Sequence, residues 1–307
     1  MSKSQRYLSE LFAAVDVDFR TDIRFADITT LRVGGAVKLA VYPRDKTQLV
    51  FCVQTLRRLA ERFAVVGNGS NILASDDFFD GVAVITKRVN ELSVDGDFVV
   101  ADCGVTTGKL FALLRKKGLG GGEFLACIPS TVGGAVRGNA GCFGCDVGSV
   151  VESVTALTDV GVVTFDKREC CFSKRNTLFK RDKLLVLSAT MKFVPSDVDS
   201  VTWRFSQMYA QKRASQPLGG LSAGCMLYHP DFSLAPYLQK AGLKGMRVGG
   251  AEVSKKHVGF VLNIDKAAAK DIYYILLYQK KMLADKYGIQ AQTEVELIGF
   301  DGGNDNV

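Results

Sequence analysis

The sequence has few histidines and no long apolar run, and each of these absences excludes a class of function. His229 and His257 are the only two histidines. Two isolated histidines without a neighbouring cluster of cysteines or carboxylates rarely form a metal site, so we predict no bound metal. No stretch approaches the roughly 20 consecutive apolar residues that a transmembrane helix needs. We therefore expect no membrane insertion.

The cysteines and the N-terminal residues carry no signal of a zinc site or of secretion. The eight cysteines are scattered, and only Cys142 and Cys145 form a CxxC pair. A single such pair is a weak signal, because zinc sites need further ligands at fixed spacing. Residues 1–10 are polar with mixed charge and lack the apolar segment of a secretory signal. We therefore expect a cytoplasmic protein with free thiols.

The basic excess of the chain is modest and dispersed. A formal charge of +7 results from 39 basic and 32 acidic residues. Such an excess suits an anionic small molecule, for example a nucleotide diphosphate. The sequence has no basic face interleaved with aromatic residues, so we expect no nucleic-acid partner. With 307 residues, the chain is long enough for two or three domains.

Helical and extended patterns alternate through the first two thirds of the chain, which indicates an α/β or α+β fold. Apolar residues at helical spacing over residues 45–63 lead into a short apolar strand at residues 64–67. Thr106 and Gly118 are typical of a helix N-cap and C-cap. The pattern further predicts a hairpin at 159–163, a strand at 184–193, a helix after the boundary at 194–197, a helix at 270–287, a strand at 293–299 and a frayed tail at 303–307.

Two glycine-rich segments have the composition of ligand-binding loops. The first, residues 67–71, follows a strand directly, and successive peptide N–H groups there could bind a phosphate. A tight turn is the alternative, and it is the commoner role of an Asn-Gly pair. The second, residues 120–141, has so many glycines that ordering it would be costly unless a ligand needs close backbone approach. Neither segment matches a Walker A loop or a dinucleotide-binding GxGxxG turn.

Several segments resemble, in order, the motifs of one enzyme family. Residues 29–35 resemble an NTxxxGG pattern, and residues 67–73 resemble a GxGSNxL loop. Residues 128–141 resemble a long GIPGTVGGAxxxNAG run. Residues 216–225 resemble a QP…SAGS stretch, and residues 294–299 resemble a final EVxxIG strand. Because several long motifs agree in order, the chain resembles the UDP-N-acetylenolpyruvoylglucosamine reductase family.

The resemblance implies an α+β fold, with a two-subdomain FAD-binding portion of the vanillyl-alcohol-oxidase type and a C-terminal α+β substrate-binding domain. The expected domains are residues 1–90, 91–197 and 198–302. The resemblance also implies non-covalent FAD and NADPH as reductant. The implied reaction converts UDP-N-acetylglucosamine enolpyruvate to UDP-N-acetylmuramate in peptidoglycan precursor synthesis. The short connection after Cys225 implies the subtype without an extra tyrosine loop.

The same resemblance implies which residues bind the cofactor. Both glycine-rich segments contribute to this set. The residues expected to contact FAD are Gly67, Asn68, Gly69, Ser70, Asn71, Ile128, Pro129, Ser130, Thr131, Gly133, Gly134, Ala135, Asn139 and Gly141.

Three positions match the catalytic residues of the family. Arg175 corresponds to the arginine that holds the substrate carboxylate, and Glu294 to the glutamate that helps to stabilise the enolic intermediate. Cys225 stands where most members have the serine that protonates carbon, so we expect an altered pH dependence and sensitivity to alkylation. Each position also has a structural interpretation that does not depend on the resemblance. Arg175 would belong to a solvated run of charges, and Glu294 and Glu296 would share one exposed strand face. Cys225 would be a small buried apolar residue.

Four further residues are expected to bind substrate. Lys174 replaces the family's usual tyrosine beside the arginine, and Gln216 begins the QP motif. Lys212 and Arg213 are expected to bind the diphosphate, although surface charge explains them almost equally well. The segment 227–230, with His229, departs from the family's FKNP, which removes a lysine and an asparagine near the nucleotide.

Two other functions compete with the reductase. One is a flavin oxidase of the same fold class, which often binds flavin covalently through histidine. The chain has no histidine before His229, which argues against covalent attachment. The other is a non-catalytic paralogue, which the substitutions at 174, 225 and 229 would permit. Retention of both Arg175 and Glu294 argues against it.

Overall fold

The computed structural model describes residues 3–300 of the chain. The predicted tail at 303–307 therefore lies outside the described residues. Within them, helices and strands alternate around three sheet regions that follow one another along the chain.

The first region is built on a four-stranded sheet of order β1-β2-β5-β3, in which only the β1–β2 pair is antiparallel. Strand β2 is buried along almost its whole length, as expected for a strand covered on both faces. The long helix of this region, α3, buries Leu49, Val53 and Leu56, which are spaced for one helical face. The elements are α1 (Lys3–Ala14), β1 (Asp18–Arg20), α2 (Phe25–Ile28), β2 (Val37–Tyr42), α3 (Lys46–Arg58), β3 (Phe63–Val66), β4 (Ile72–Ala74) and β5 (Phe79–Ile85).

The second region is an antiparallel five-stranded sheet of order β12-β11-β13-β7-β6. Helix α5 packs against strand β13, and apolar side chains of helix α4 join the same core. The elements are β6 (Leu92–Asp95), β7 (Phe98–Asp102), α4 (Thr107–Lys117), β8 (Leu119–Gly120), a 3₁₀ helix (Glu123–Cys127), α5 (Val132–Arg137), β9 (Gly141–Cys142), β10 (Cys145–Asp146), α6 (Val147–Val150), β11 (Val151–Thr158), β12 (Gly161–Asp166), α7 (Leu178–Arg181), β13 (Leu185–Lys192) and β14 (Val194–Pro195).

The third region surrounds one long helix, α10, whose buried side chains pack on a small three-stranded sheet of order β16-β17-β18. The core of this region also includes Leu31, Val33 and Leu73, so the C-terminal part of the chain is packed onto the N-terminal part. Helix α8 (Val198–Ser215) precedes this region in the chain and packs on the second region. The elements of the third region are β15 (Leu227–Tyr228), α9 (Ala235–Lys240), β16 (Arg247–Val248), β17 (Ala251–Val253), β18 (Val261–Asn263), α10 (Ala269–Tyr287), β19 (Gln292–Thr293) and β20 (Glu296–Ile298).

Most of the predicted local elements are confirmed. The Thr106 hydroxyl accepts the N–H of Lys109 at 3.1 Å, and Gly118 ends helix α4 in the left-handed region at φ +64°. Strands β11 and β12 form the hairpin predicted at 159–163. The domain boundaries remain predictions. Helix α8, just after the boundary at residue 197, packs against α4 and the 3₁₀ helix at 123–127.

The strand predicted at 293–299 is wrong as a single element. Strand β19 pairs with β15, whereas β20 pairs in parallel with β4. Glu294 and Val295 lie between them, where the chain passes from one partner strand to the other. The apolar alternation is the same for one strand as for two, so the sequence pattern does not reveal this break.

Candidate active site

Two adjoining cavities lie where the three regions meet. The inner cavity has a volume of about 160 Å³ and is lined by residues 67–72, residues 130–138 in part, and residues 184–186. The outer cavity has a volume of about 470 Å³ and reaches to the loop at 216–225 and to Glu294. Both cavities share the wall residues Ser70, Asn71, Ser130, Gly134 and Gly138.

Parts of both glycine-rich segments line these cavities. A Cβ atom at Gly67 would overlap the Thr131 hydroxyl, and one at Gly69 would overlap the carbonyl oxygen of Ile28. Gly69 also has φ +65°, a conformation that other residues adopt at a cost. The absence of a side chain at Gly67 therefore lets the two loops approach each other, and the absence of one at Gly69 lets the first loop approach the end of helix α2. The predicted cofactor residues that line the inner cavity are Gly67, Asn68, Gly69, Ser70, Asn71, Ser130, Thr131, Gly133 and Gly134.

Two polar atoms of the inner cavity have no partner among the described residues. They are the Thr131 hydroxyl and Nε of Arg137, both fully buried. Buried polar groups are nearly always hydrogen-bonded, so these two donors point to a polar ligand. Apolar residues 184–186 line the same cavity and suit a flat ring system. A dinucleotide such as FAD, with phosphates and two ring systems, fits this combination.

The outer cavity brings together the three residues that were predicted to be catalytic. Arg175, Cys225 and Glu294 all line it, although they lie 50 to 119 positions apart in the sequence. Nε of Arg175 lies 2.6 Å from Oε1 of Glu294. The side chains are 30% and 15% exposed, respectively, so the pair is shielded from solvent while remaining open to the cavity.

Arg175 is presented by a tight turn. Ser173 and Asn176 exchange both backbone hydrogen bonds, at 3.0 and 3.2 Å, and Arg175 has φ +58°. A left-handed arginine costs on the order of 1 kcal/mol or more, so the turn must be supported by its surroundings. Nδ2 of Asn139 donates to the Ser173 carbonyl oxygen at 2.9 Å, and its Oδ1 accepts the N–H of Gly148 at 2.9 Å. Asn139 supports the turn in this way.

Glu294 is fixed by its backbone at the break between β19 and β20. Its N–H donates to the Met226 carbonyl oxygen at 2.9 Å. Nδ2 of Asn71 donates to the Glu294 carbonyl oxygen at 3.1 Å, and the Asn71 carbonyl oxygen accepts the N–H of Glu296 at 2.9 Å. One residue of the first glycine-rich loop thus positions the carboxylate.

Burial is the largest influence on the pKa of Glu294 and on that of Cys225 in the outer cavity. It raises the pKa of Glu294, against the opposing charges of Arg175 and Lys180. It raises the pKa of Cys225 to about 12, and the charge of Glu294 adds to this effect. The Cys225 thiol therefore keeps its proton at neutral pH. Because the thiolate is the reactive form, the alkylation sensitivity expected from the sequence does not follow from the structure.

Four predicted site residues line neither cavity. Ala135 is buried in the core of the second region, and Asn139 uses its amide within the protein. The Lys174 ammonium donates to the Pro230 carbonyl oxygen at 2.8 Å, and Arg213 lines a separate surface depression on α8. Ile128, Pro129 and Gly141, which were expected to contact FAD, line the outer cavity and not the inner one. Lys212 and Gln216, which were expected to bind substrate, line the outer cavity as well.

The sequence interpretation missed a group of three charges beside the site. Oε1 of Glu296 lies 3.1 Å from Nη1 of Arg137 and 3.1 Å from Nζ of Lys180. Arg137 and Glu296 line the inner cavity, and Lys180 lines the outer one. Arg137 lies inside the glycine-rich run, at a position where the family motif fixes no residue type, so the motif gave no signal for it.

The described part of the chain holds neither a metal-binding cluster nor a membrane-spanning helix. Among residues 3–300, no cluster of three or more histidine, cysteine or acidic side chains could hold a metal ion. No helix in the same range is long and apolar enough to span a bilayer.

Known proteins resemble this chain along most of its length. Residues 37–165 match a family model described as an FAD binding domain, and residues 216–298 match one described as UDP-N-acetylenolpyruvoylglucosamine reductase, C-terminal domain. Proteins of that name from Thermotoga sp. (strain RQ2) and Thermotoga maritima are each 33% identical over 271 residues, which are 88% of this chain and 90% and 95% of theirs. The crystal structure of the Thermus caldophilus reductase has a TM-score of 0.77 and 25% identity, covering 92% of this chain and 98% of that one. These matches confirm the predicted fold class, an FAD-binding portion followed by a C-terminal domain.

Proposed function

The chain belongs to the UDP-N-acetylenolpyruvoylglucosamine reductase family and is an FAD-dependent oxidoreductase, and from this premise we propose that it reduces the enolpyruvyl ether of UDP-N-acetylglucosamine to the lactyl ether, with NADPH as reductant. The observation that carries the proposal is the Arg175–Glu294 pair in one cavity with Cys225. The product is a precursor of peptidoglycan. We accordingly assign the chain to cell-wall synthesis in the cytoplasm, and hence to the maintenance of cell shape and division.

The inner cavity is the proposed FAD site. The peptide N–H groups of residues 67–71 and of Gly134, together with the Thr131 hydroxyl and the Arg137 guanidinium, would hold the pyrophosphate. When bound, FAD supplies a hydride that NADPH has delivered to it. The protein has to bind both partners, exclude water and control the proton that completes the reduction.

Arg175 is proposed to bind the carboxylate of the enolpyruvyl group. Addition of hydride to the methylene carbon breaks the C=C double bond and leaves the electron pair on the carbon beside that carboxylate. The charge spreads into the carboxylate, so a guanidinium aimed at it stabilises the transition state more than the ground state. A guanidinium fork suits a carboxylate better than an ammonium does.

Cys225 is proposed to donate the proton to this carbon. Its pKa of about 12 keeps the thiol protonated before the reaction, and the charges of Arg175 and Lys212 favour the thiolate that proton transfer leaves behind. Glu294 faces the same cavity and holds the Arg175 guanidinium by its Nε. We propose that Glu294 thereby orients Arg175 and helps to stabilise the enolic intermediate.

Lys212 and Gln216 are proposed to bind the UDP diphosphate, because both line the outer cavity. The structure offers less support for Lys174 and Arg213. Neither residue lines the outer cavity, since the Lys174 ammonium donates to the Pro230 carbonyl oxygen and Arg213 lies in the surface depression on α8. These two remain predictions from the resemblance.

The experiment compares Arg175→Lys with a matched control, Arg181→Lys, on the same segment of chain. Arg181 is exposed and pairs with its neighbour Asp182. We expect the parent enzyme to oxidise NADPH only with the enolpyruvyl substrate, and its product to gain two hydrogens by mass spectrometry. Arg175→Lys should lower kcat/KM by about 10- to 100-fold, the usual cost of losing a hydrogen bond to a charged group, with flavin content unchanged. Arg181→Lys should match the parent.

Two outcomes would contradict the proposal. Oxidation of NADPH that does not depend on substrate would favour a different flavin oxidoreductase. Bound FAD with no turnover of the substrate would favour a non-catalytic paralogue.

A further inference from the structure

The run of charges around Arg175 divides into residues that face the outer cavity and residues that face solvent. Arg175 and Lys180 are partly buried and line that cavity. Arg181 and Lys183 are exposed and line neither cavity. Arg175 is proposed above to bind the substrate carboxylate. Lys180 lines the same cavity and has no role in that proposal.

Helix α7 fixes the position of Lys180. The hydroxyl of Thr177, at the start of the helix, accepts the N–H of Lys180 at 3.2 Å and donates to the Arg137 carbonyl oxygen at 2.8 Å. Phe179, within the helix, is fully buried in the core of the second region. The helix follows directly after the turn that presents Arg175, so both cations are held on one anchored segment of chain.

Lys180 shares its counter-ion with a second cation. Nζ of Lys180 and Nη1 of Arg137 each lie 3.1 Å from Oε1 of Glu296. Two positive groups therefore share one carboxylate, and the three side chains together carry a net positive charge. An ammonium has three N–H donors, and the contact with Glu296 uses one of them. Neutralising Glu296 alone does not require both cations.

The substrate brings more negative charge than Arg175 can balance. Arg175 is paired with Glu294, so this pair has no net charge while Glu294 is ionised. The enolpyruvyl group carries a carboxylate, and hydride addition spreads a second negative charge into it. Charges in a cavity shielded from water need nearby opposite charges. Burial raises the pKa of Glu294, and the charges of Arg175 and Lys180 oppose this rise, so the Lys180 charge acts at the Arg175–Glu294 pair.

We propose that Lys180 binds the carboxylate of the enolpyruvyl group together with Arg175, and that Glu296 is a positioning residue that holds the Lys180 ammonium at the cavity wall. The inference rests on the function proposed above and deepens it. Two observations carry it: Lys180 lines the outer cavity and not the inner one, and its counter-ion is shared with Arg137. The added positive charge would stabilise the enolic intermediate more than the substrate.

The UDP diphosphate is the alternative ligand for Lys180. Lys212 and Gln216, at the end of α8, are proposed for that diphosphate. Lys180 instead belongs to α7, beside the turn that presents Arg175. The carboxylate that Arg175 binds is therefore the nearer anion for Lys180.

The test measures the binding of two nucleotides to the oxidised, FAD-loaded protein by titration calorimetry. UDP-N-acetylmuramate carries the lactyl carboxylate, whereas UDP-N-acetylglucosamine has the same diphosphate without that carboxylate. Lys180→Gln should weaken binding of the first by about 10- to 100-fold, the usual cost of losing a hydrogen bond to a charged group, and of the second by less than about twofold. Lys180→Met, which keeps the aliphatic stem, should show the same difference. Lys180→Arg, which keeps the charge, should retain most of the affinity.

The control is Lys281→Gln. It also breaks a lysine–carboxylate pair, to Asp285 at 2.7 Å, but on the exposed surface of α10. Both affinities should match those of the parent.

Three results would overturn the inference. One is equal weakening of both nucleotides in Lys180→Gln, which would assign Lys180 to the diphosphate or to the fold. The second is an unchanged affinity for UDP-N-acetylmuramate in Lys180→Gln or Lys180→Met. The third is a loss in Lys180→Arg as large as that in Lys180→Gln. Failure of the proposed function would appear in the parent instead, as equal affinity for both nucleotides, and would overturn both proposals.

Discussion

Side chains in the outer cavity differ in how readily they release a proton. Burial raises the pKa of Cys225 to about 12, whereas the neighbouring Cys142 and the charge of Lys212 lower the pKa of the Cys127 thiol, on the same wall. A group that must donate a proton late in a reaction benefits from retaining it until then. The Cys225 thiol thus enters the reaction protonated, as the role proposed for it requires, in spite of its departure from the family's usual serine.

Replacement of Cys225 by alanine should remove the proton donor. We expect Cys225→Ala to lower kcat by about 10²- to 10⁴-fold, the usual contribution of a general acid, while Cys225→Ser retains most of the activity. Because the thiol stays protonated below its pKa of about 12, the parent should show no loss of rate near pH 9 from ionisation of Cys225. The pH profile of substrate-dependent NADPH oxidation measures both effects. A Cys225→Ala variant at the parent rate would exclude Cys225 from the mechanism.

The Thr131 hydroxyl should stabilise the FAD complex and destabilise the protein without FAD. Its oxygen is buried without a partner among the described residues, an arrangement that costs about 1–3 kcal/mol. Thr131→Val should therefore raise the melting temperature without FAD and weaken FAD binding in a fluorescence titration. Thr107→Val is the control, because the Thr107 hydroxyl already donates to the Ser130 carbonyl oxygen at 3.2 Å, and its loss should lower the melting temperature. A lower melting temperature for Thr131→Val would contradict this account.

Motif order singled out Arg175, Cys225 and Glu294, which line one cavity in the structure, but it gave no signal for the charges beside them. Arg137 and Glu296 pair across 159 positions of sequence, and no local pattern reports a contact over such a separation. Asn139 was expected to contact FAD, but it lines neither cavity. The residue type belongs to the glycine-rich motif, but its amide supports the Arg175 turn.

Short elements at the cavity depend on a few hydrogen bonds for their shape. The turn that presents Arg175 includes only two reciprocal backbone bonds, and Asn139 supplies the support from outside. The loop at 67–71 instead depends on the absence of side chains. Each of these features can be removed by a single substitution.

Asn139→Ala should loosen the turn that carries Arg175. It removes the bond to the Ser173 carbonyl oxygen and leaves the buried N–H of Gly148 without a partner. We expect a loss of about 1–3 kcal/mol in the free energy of unfolding, together with a fall in kcat/KM. The control is Asn90→Ala, since Asn90 makes a similar bond, to the Lys87 carbonyl oxygen at 3.0 Å, in an exposed position. Equal effects of the two substitutions on kcat/KM, measured in parallel, would refute the supporting role.

Gly69→Ala should disrupt the first glycine-rich loop more than an equivalent change elsewhere. Gly69 and Gly96 have similar conformations, with φ +65° and +59°. A Cβ at Gly69 would overlap the Ile28 carbonyl oxygen, whereas one at Gly96 would meet nothing within 4 Å. Gly96→Ala should lower the free energy of unfolding only by the cost of a left-handed alanine, about 1–2 kcal/mol, and the variant should retain FAD. Gly69→Ala should lower the free energy of unfolding, measured in urea, by more than this, and the variant should lose FAD. Retention of full FAD content would argue against the function proposed for the loop.

Secondary structure near the site was predictable where one residue determines it. Thr106 and Gly118 terminate α4 as expected, because capping depends on local chemistry. The break at Glu294 was not predictable, since it arises when the chain leaves β15 and joins β4. Those partner strands lie far away in the sequence.

Considered as a whole, the molecule joins its first and last segments at the cavities. Strand β20 pairs with β4, and the Thr30 hydroxyl donates to the Ser222 carbonyl oxygen at 2.6 Å. The amide of Asn263 donates to the Leu31 carbonyl oxygen at 3.0 Å, so a third contact ties the C-terminal region to the N-terminal motif. The loops proposed to hold FAD and the residues proposed to act on substrate are thereby held on one shared wall.

The most direct test of this arrangement separates the two half-reactions. The FAD-loaded protein is reduced with NADPH without oxygen, freed of the nucleotide, and mixed with UDP-N-acetylglucosamine enolpyruvate while the flavin absorbance is followed. Plain UDP-N-acetylglucosamine, which lacks the double bond, is the control. We predict that the oxidised flavin spectrum returns with the enolpyruvyl compound and not with the control. A flavin that stays reduced with both compounds, or a protein that takes up no FAD, would contradict the account.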